Sequence, residues 1–178
     1  VQVYQELSRD FAAIEPPVWS GLIATYLRQH SCTVAILDAE AQGLTHQQTA
    51  EQIATIGPRL AVFVIYGQQP SASTQCMPAG RKVCEILNSL TDIPTLVMGT
   101  HPSALPRRTL LEEPYTYVCQ GEGPATILGL VVALRAPQHS LRGVPGLWHM
   151  EEGNPIGNTP APLITNLDHD LPGQAWDL

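Results

Sequence analysis

The sequence predicts an α/β fold, a doubly wound five-stranded parallel sheet covered by helices on both faces, followed by a small hairpin and an extended tail. Three observations carry this. Apolar runs of strand length alternate with stretches of helical period through residues 1–136, the pattern of a parallel sheet with helical crossovers. The clearest run, Leu60–Ile65 (LAVFVI), is apolar throughout, as a strand buried on both faces is. Beyond Arg135 the texture changes to Pro-rich, extended sequence, so residues 1–136 are expected to form the main domain and 137–178 a hairpin and linker. Crossovers between parallel strands are nearly always right-handed, which leaves the doubly wound sheet as the simplest topology.

The elements follow in order. Val1–Tyr4 reads as the end of a first strand. Pro16 and Pro17 open a helix running to about Gln29, with Trp19, Leu22, Ile23, Tyr26 and Leu27 on one side as core residues. Thr33–Leu37 (TVAIL) is the second strand. Thr45, with Gln48 three residues on, has the arrangement of a capping box, and the helix it starts stops at Gly57-Pro58. Leu60–Ile65 is the third strand, and after a polar loop a helix continues to about Leu90. Pro94–Met98 and Tyr115–Cys119 are the fourth and fifth strands, and Ala125–Leu134 the last helix. Val144–Met150 and Pro155–Ile164, separated by Glu-Glu-Gly-Asn, form the hairpin.

Composition removes several functions. Apolar residues make up 44% of the 178 and charged ones 14%, a compact domain rather than a disordered chain. A net charge of −7 excludes nucleic-acid binding as the main task. No apolar run approaches the roughly 20 residues that cross a bilayer, and no signal peptide opens the sequence, so a cytoplasmic protein without a membrane partner is expected. The first residue is Val, which reads as a piece of something longer. Cys32, Cys76, Cys84 and Cys119 have no metal-ligand spacing and read as buried thiols in a reducing compartment, so no metal ligand and no catalytic residue is assigned.

The unusual residues gather at strand ends. In an open parallel sheet ligands sit beyond the carboxyl ends of the strands. There the sequence places DAEAQG, YGQQPSASTQ, GTHPSALP and QGEGPAT, four small or polar loops on one edge. Gly67, Gly99, Gly121 and Gly123 let backbone approach a large flat ligand. Ser71, Ser73, Thr74 and Thr100 offer hydroxyls near helix starts, suited to phosphate or amide oxygens. Neither a P-loop nor a dinucleotide G-x-G-x-x-G is present.

With these motifs placed, the chain resembles the N-terminal cobalamin-binding domain of cobalamin-dependent radical S-adenosylmethionine enzymes, most of them methyltransferases. The carriers are EPPVWSGLIATYLRQH, ILDAEAQGL, VIYGQQPSASTQ, VMGTHPSALPRRTL, VCQGEGPATI and the tail TNLDHDLPGQAWDL. The resemblance implies a Rossmann-like, flavodoxin-like fold that binds cobalamin. It implies that the loop of Asp38, Glu40 and Gly43 lies under the corrin. Glu40 stands where many cobalamin domains carry the histidine of Asp-x-His-x-x-G, which implies base-off binding without a histidine on cobalt. The loop from Gly67 to Gln75, with Ser71, Ser73 and Thr74, would run beside the displaced nucleotide tail and under the lower corrin face, with Gln68 or Gln69 next to that face. Tyr66 reads as core or cofactor wall, and Gly99 and Thr100 stand where the family often has paired glycines. His101 reads as a cobalt or substrate ligand or as a local hydrogen-bonding residue. Gly121, Glu122 and Gly123 would close around the tail. The complete enzyme would move a methyl group to a poorly reactive carbon, using S-adenosylmethionine and a 4Fe–4S cluster in a radical domain beyond this chain. That radical domain and cobalamin are the expected partners, and the fragment alone would be inactive.

Rival readings share the same edge. A flavin-binding flavodoxin-like domain would favour aromatic residues flanking the ring, where the third loop has only Tyr66. A phosphoacceptor receiver would need an Asp in place of Tyr66 or Gly67. A non-catalytic docking module would use the loops for a protein partner.

Overall fold

The structure, a computed structural model, describes residues 15–67, 70–136 and 140–178. The expected first strand at Val1–Tyr4, and Gln68 and Gln69, lie outside the described residues. Helix α1 is Val18–Gln29, α2 His46–Ile56, strand β1 Ala61–Val64, and helix α3 Pro70–Leu90. There follow β2 (Thr95–Met98), the short helices α4 (Thr100–Ala104) and α5 (Pro106–Glu112), β3 (Tyr117–Cys119) and α6 (Pro124–Arg135). The hairpin β4 (Leu147–Glu151) and β5 (Asn154–Gly157) and the single turn α7 (Leu167–Asp170) complete the order.

The α/β fold expected from the sequence is present. Among the described residues its sheet has five strands in the order β1-β2-β3-β4-β5, three of the expected parallel strands and two antiparallel ones, so it is mixed rather than all parallel. β1, β2 and β3 are parallel, with Ala61 opposite Thr95 and Leu96 opposite Tyr117. The expected hairpin supplies the other two strands. β4 runs antiparallel to β3, Cys119 opposite Leu147, so the hairpin continues the main sheet. Its two-residue turn places Glu152 and Gly153 at φ 51° and 78°, the pair of positive angles that matches the twist of a tight hairpin. Thr33–Leu37 makes no ladder among the described residues; Val34 packs against the core while Thr33 and Ala35 are exposed.

Period-two alternation divides the core between the two faces of the sheet. Leu96, Met98, Tyr117 and Cys119 pack with Ile23 and Leu27 of α1 and Ile127 and Leu130 of α6. Their strand neighbours Val97 and Val118 point the other way, against Met77 and Cys84 of α3 and Leu110 of α5. Ala50 of α2 packs on Ala61, Val83 and Leu87. The capping box at α2 is formed: the Thr45 hydroxyl accepts from the Gln48 amide at 3.2 Å, and Gln48 accepts from the Thr45 amide at 2.9 Å. Gly57 ends the helix in the left-handed conformation, φ 61°.

Two imidazoles tie this fold to pH. Burial, helped by Lys82, holds His46 below the usual histidine range; burial does the same for His149 on β4, against an opposing pull from Glu151. Each ring has a buried nitrogen without a hydrogen-bond partner among the described residues. At these two rings the folded chain therefore binds protons less readily than the unfolded one, whose histidines titrate at about 6.5. Stability is fully present above that value and should decline as pH falls through it. Urea titrations at a series of pH values check this, and His149→Gln should flatten the decline.

Candidate functional site

The carboxyl ends of β1, β2 and β3 converge on one edge, and close backbone contacts fix their arrangement. Beyond β1 the Ile65 amide still donates to the Met98 carbonyl at 2.8 Å. Gly99 follows β2 at φ 146°, and a Cβ there would collide with the Ile65 carbonyl. Ser73, fully buried in the first turn of α3, donates from its hydroxyl to Ile65 O at 2.6 Å and accepts from the His101 amide at 3.1 Å. It joins β1, α3 and α4 at one point. Next to it the Thr74 hydroxyl bonds His101 Nδ1 at 2.9 Å. At the end of β3, Gly121 donates its amide to the Ser103 hydroxyl at 2.9 Å. Gly123, φ 101°, starts α6 where a side chain would meet the tip of Met98.

These ends enclose a cavity of about 530 Å3. Tyr66, Gly99, Thr100, Gly121 and Glu122 line it from the sheet edge, with Ser103 and Ala104 of α4 and Pro124 of α6. Trp19, Leu22 and Ile23 of α1 form an apolar side, and Ile164, Leu167 and Leu171 of the tail another. The Trp19 and Tyr66 rings stack with centroids 4.9 Å apart and planes at 23°. Burial, with Cys119 and Glu122 nearby, pushes the Tyr66 hydroxyl up to about 12, so it is a neutral phenol at physiological pH. Among the described residues the lining contains neither lysine nor arginine.

Asp38, Glu40 and Gly43 form a separate turn outside this lining. Asp38 Oδ1 accepts from the amides of Glu40 at 3.1 Å and Ala41 at 3.0 Å, and Gly43 closes the turn in the left-handed region, φ 61°, its amide on Glu40 O at 3.0 Å. Burial first, and then the charge of Glu40, raise the Cys76 thiol of α3.

The structure thus brings Tyr66, Gly99, Thr100, Gly121 and Glu122 to one cavity. Ser73, Thr74, His101 and Gly123 lie around it as a bonded frame. Gly67 and Ser71 are exposed just outside. The sequence reading missed Trp19, which it placed in the core; the side chain is 47% exposed and lines the cavity. It missed the three tail residues too, because an extended Pro-rich segment gives no sign of where it folds back. Among the described residues no three His, Cys, Asp or Glu side chains gather as a metal-ligand group, and no helix is long and apolar enough to cross a membrane.

Comparison with known proteins points the same way. Residues 7–131 match the B12 binding domain family. An uncharacterized methyltransferase of Pyrococcus horikoshii is 30% identical over 165 residues, 92% of this chain and 34% of that protein. The anaerobic magnesium-protoporphyrin IX monomethyl ester cyclase of Synechocystis sp. is 31% identical over 168 residues, 92% of this chain and 32% of that protein. The chain spans about a third of the length of these curated relatives. The radical S-adenosylmethionine methyltransferase TsrM of Kitasatospora setae, solved with cobalamin and a 4Fe–4S cluster, shares the fold at TM-score 0.67 and 20% identity, over 88% of this chain and 28% of that one. The cobalamin-dependent S-adenosylmethionine radical enzyme OxsB, solved with aqua-cobalamin and S-adenosylmethionine, does so at TM-score 0.72 and 20% identity, over 97% of this chain and 23% of that one. With the sheet edge, its cavity and a family match over most of its length, the chain belongs to the B12-binding domain family.

Proposed function

We propose that this domain binds cobalamin base-off, with the nucleotide tail in the cavity and no protein imidazole on the cobalt. It would serve as the cofactor-holding module of a radical S-adenosylmethionine methyltransferase acting on an unactivated carbon. The cavity carries the reading. Its volume of about 530 Å3 lies within the roughly 300–1,000 Å3 typical of cofactor sites. Its walls, among the described residues, are aromatic and aliphatic with a few polar groups.

The residues fit such a group. Trp19, Tyr66, Leu22 and Ile23 offer apolar surface to a flat heterocyclic base, and the phenol of Tyr66 and the hydroxyl of Thr100 offer hydrogen bonds to its sugar and phosphate. Gly121 leaves open space where a side chain would stand. The Asp38 turn would support the corrin beside the cavity, and Glu40, exposed at its tip, presents a carboxylate in place of an imidazole. His101 Nδ1 is bonded to Thr74. Cobalamin, when bound, supplies a cobalt centre that carries a methyl group; the chain's own residues bind it, orient it and keep water from its tail. The tail segment after residue 137 would lead on to the radical domain.

Electron paramagnetic resonance of the bound cobalt(II) form tests the lower face. The expected spectrum lacks nitrogen superhyperfine splitting from an axial ligand. A spectrum with such splitting overturns the base-off, histidine-free assignment.

A further inference from the structure

We propose that Glu122 is a positioning residue: its carboxylate fastens residues 161–178 as a strap along the cavity, and the strap rather than Glu122 supplies the contact to the cofactor. Glu122 Oε2 accepts a hydrogen bond from the Ile164 amide at 2.7 Å, across 42 residues of sequence. From that point the strap adds Ile164, Leu167 and Leu171 to the lining. Without it the cavity would keep the sheet edge and α1 but lose its second aliphatic side.

The strap is held at both ends and hardly at all between them. At the far end the buried Ala175 donates its amide to Gly21 O at 3.2 Å, Gln174 packs against Gly21, and Arg28 pairs with Asp177 at 2.7 Å. Between the ends stands α7, a single turn of four residues with one cap, Asn166 Oδ1 accepting from the His169 amide at 3.2 Å. A helix that short does not hold itself in water. Leu163 and Leu167 are 72% and 62% exposed, so burial adds little there. The chain enters the strap from Asn158 and Thr159, which are anchored by the Leu147 carbonyl at 2.9 Å and the Gly146 amide at 2.7 Å. Beyond that anchor, among the described residues, the charge-assisted bond that Glu122 makes is what ties Ile164 to the sheet edge. One carboxylate oxygen is thereby committed to the chain's own backbone, and Gly121 and Gly123 on either side give the loop the two positive φ angles, 102° and 101°, at which it turns.

The affinity arm of the test rests on the cobalamin reading; the exchange arm does not. Glu122→Ala and Glu122→Gln are compared with the wild-type chain by amide hydrogen exchange and by titration with hydroxocobalamin and with cobinamide, which lacks the nucleotide. In Glu122→Ala, exchange at Ile164 through Leu171 should rise and hydroxocobalamin should bind about tenfold more weakly, the scale of one lost bond to a charged group. Glu122→Gln should stay near wild type in both, because a carboxamide oxygen accepts the same bond. Unchanged exchange in Glu122→Ala overturns the fastening. Equal loss of affinity in both variants assigns the charge of Glu122 to the cofactor and overturns the positioning role. Wild-type chain that binds cobinamide as tightly as hydroxocobalamin overturns instead the placement of the nucleotide, and with it the strap's share in binding, whatever the exchange shows.

Discussion

Gly99→Ala should cost the domain about 4 kcal/mol of stability, the sum expected from a strained backbone and an overpacked contact. Gly99 sits at φ 146°, and its missing side chain is the space taken by the Ile65 carbonyl and the Ser73 hydroxyl. Neither neighbour can yield. Ile65 is held in register by the Met98 carbonyl, and Ser73 is buried and bonded on two sides. An added methyl must therefore separate β1 from β2 at the edge where the cavity begins. Gly121→Ala is the matched control, since φ is 102° there but nothing lies within 4 Å of the added carbon. It should cost only about 1 kcal/mol, from the backbone alone. Chemical denaturation of the two variants measures the difference, and equal costs would remove the crowding argument.

Ala104→Trp should abolish most cofactor binding while leaving the fold intact. Ala104 ends α4, is exposed, and lines the cavity. An indole there projects into open space, so stability should move by no more than about 0.5 kcal/mol. The same indole occupies volume that the nucleotide needs, and hydroxocobalamin affinity should fall at least about a hundredfold. Titration followed by absorbance, together with a thermal melt, reads both quantities. A variant that binds as tightly as wild type would move the nucleotide out of this cavity.

Much of this architecture could be read from residues, and the places where it could not share one cause. The strands Leu60–Ile65, Pro94–Met98 and Tyr115–Cys119 were legible because buried strands leave mostly apolar runs, broken here only at Thr95 and Thr116; the ladders occupy Ala61–Val64, Thr95–Met98 and Tyr117–Cys119 within them. The cap at Thr45 and the stop at Gly57 were legible because their bonds are local. Thr33–Leu37 shows the limit of the same signal. An apolar run reports burial, but a ladder needs a neighbour, and none is formed among the described residues. The two middle loops were read too long. Ser71, Ser73 and Thr74 belong to the first turns of α3, which begins at Pro70, and Thr100–Ala104 is itself helical. Pro at a first helical position marks such starts, yet the hydroxyl-rich sequence after it reads equally as a turn.

Within the site, the sheet edge was legible and the other walls were not. Tyr66, Gly99, Thr100, Gly121 and Glu122 follow strand ends, so topology alone brings them together. Trp19 looks like any large apolar residue on a helix face, and only the position of α1 relative to β1 decides that it stacks on Tyr66. Ile164, Leu167 and Leu171 are separated from the rest of the lining by the whole hairpin. Their placement depends on bonds such as Glu122 to Ile164 that no local pattern encodes.

The hairpin carries a consequence of its own. Glu151 and Asn154 flank the two-residue turn and so exchange hydrogen bonds, as the Asn158 amide does with Leu147 O at 2.9 Å four positions along. Met150 and Pro155 form the alternate pair between those rungs, which turns the backbone nitrogen of Pro155 away from β4 toward the unpaired margin. A proline nitrogen has no hydrogen to offer a newcomer there. On that flank one outward donor of β5 is missing, which, together with the shortness of a four-residue strand, weakens sticking of one copy to the next through open β-edges.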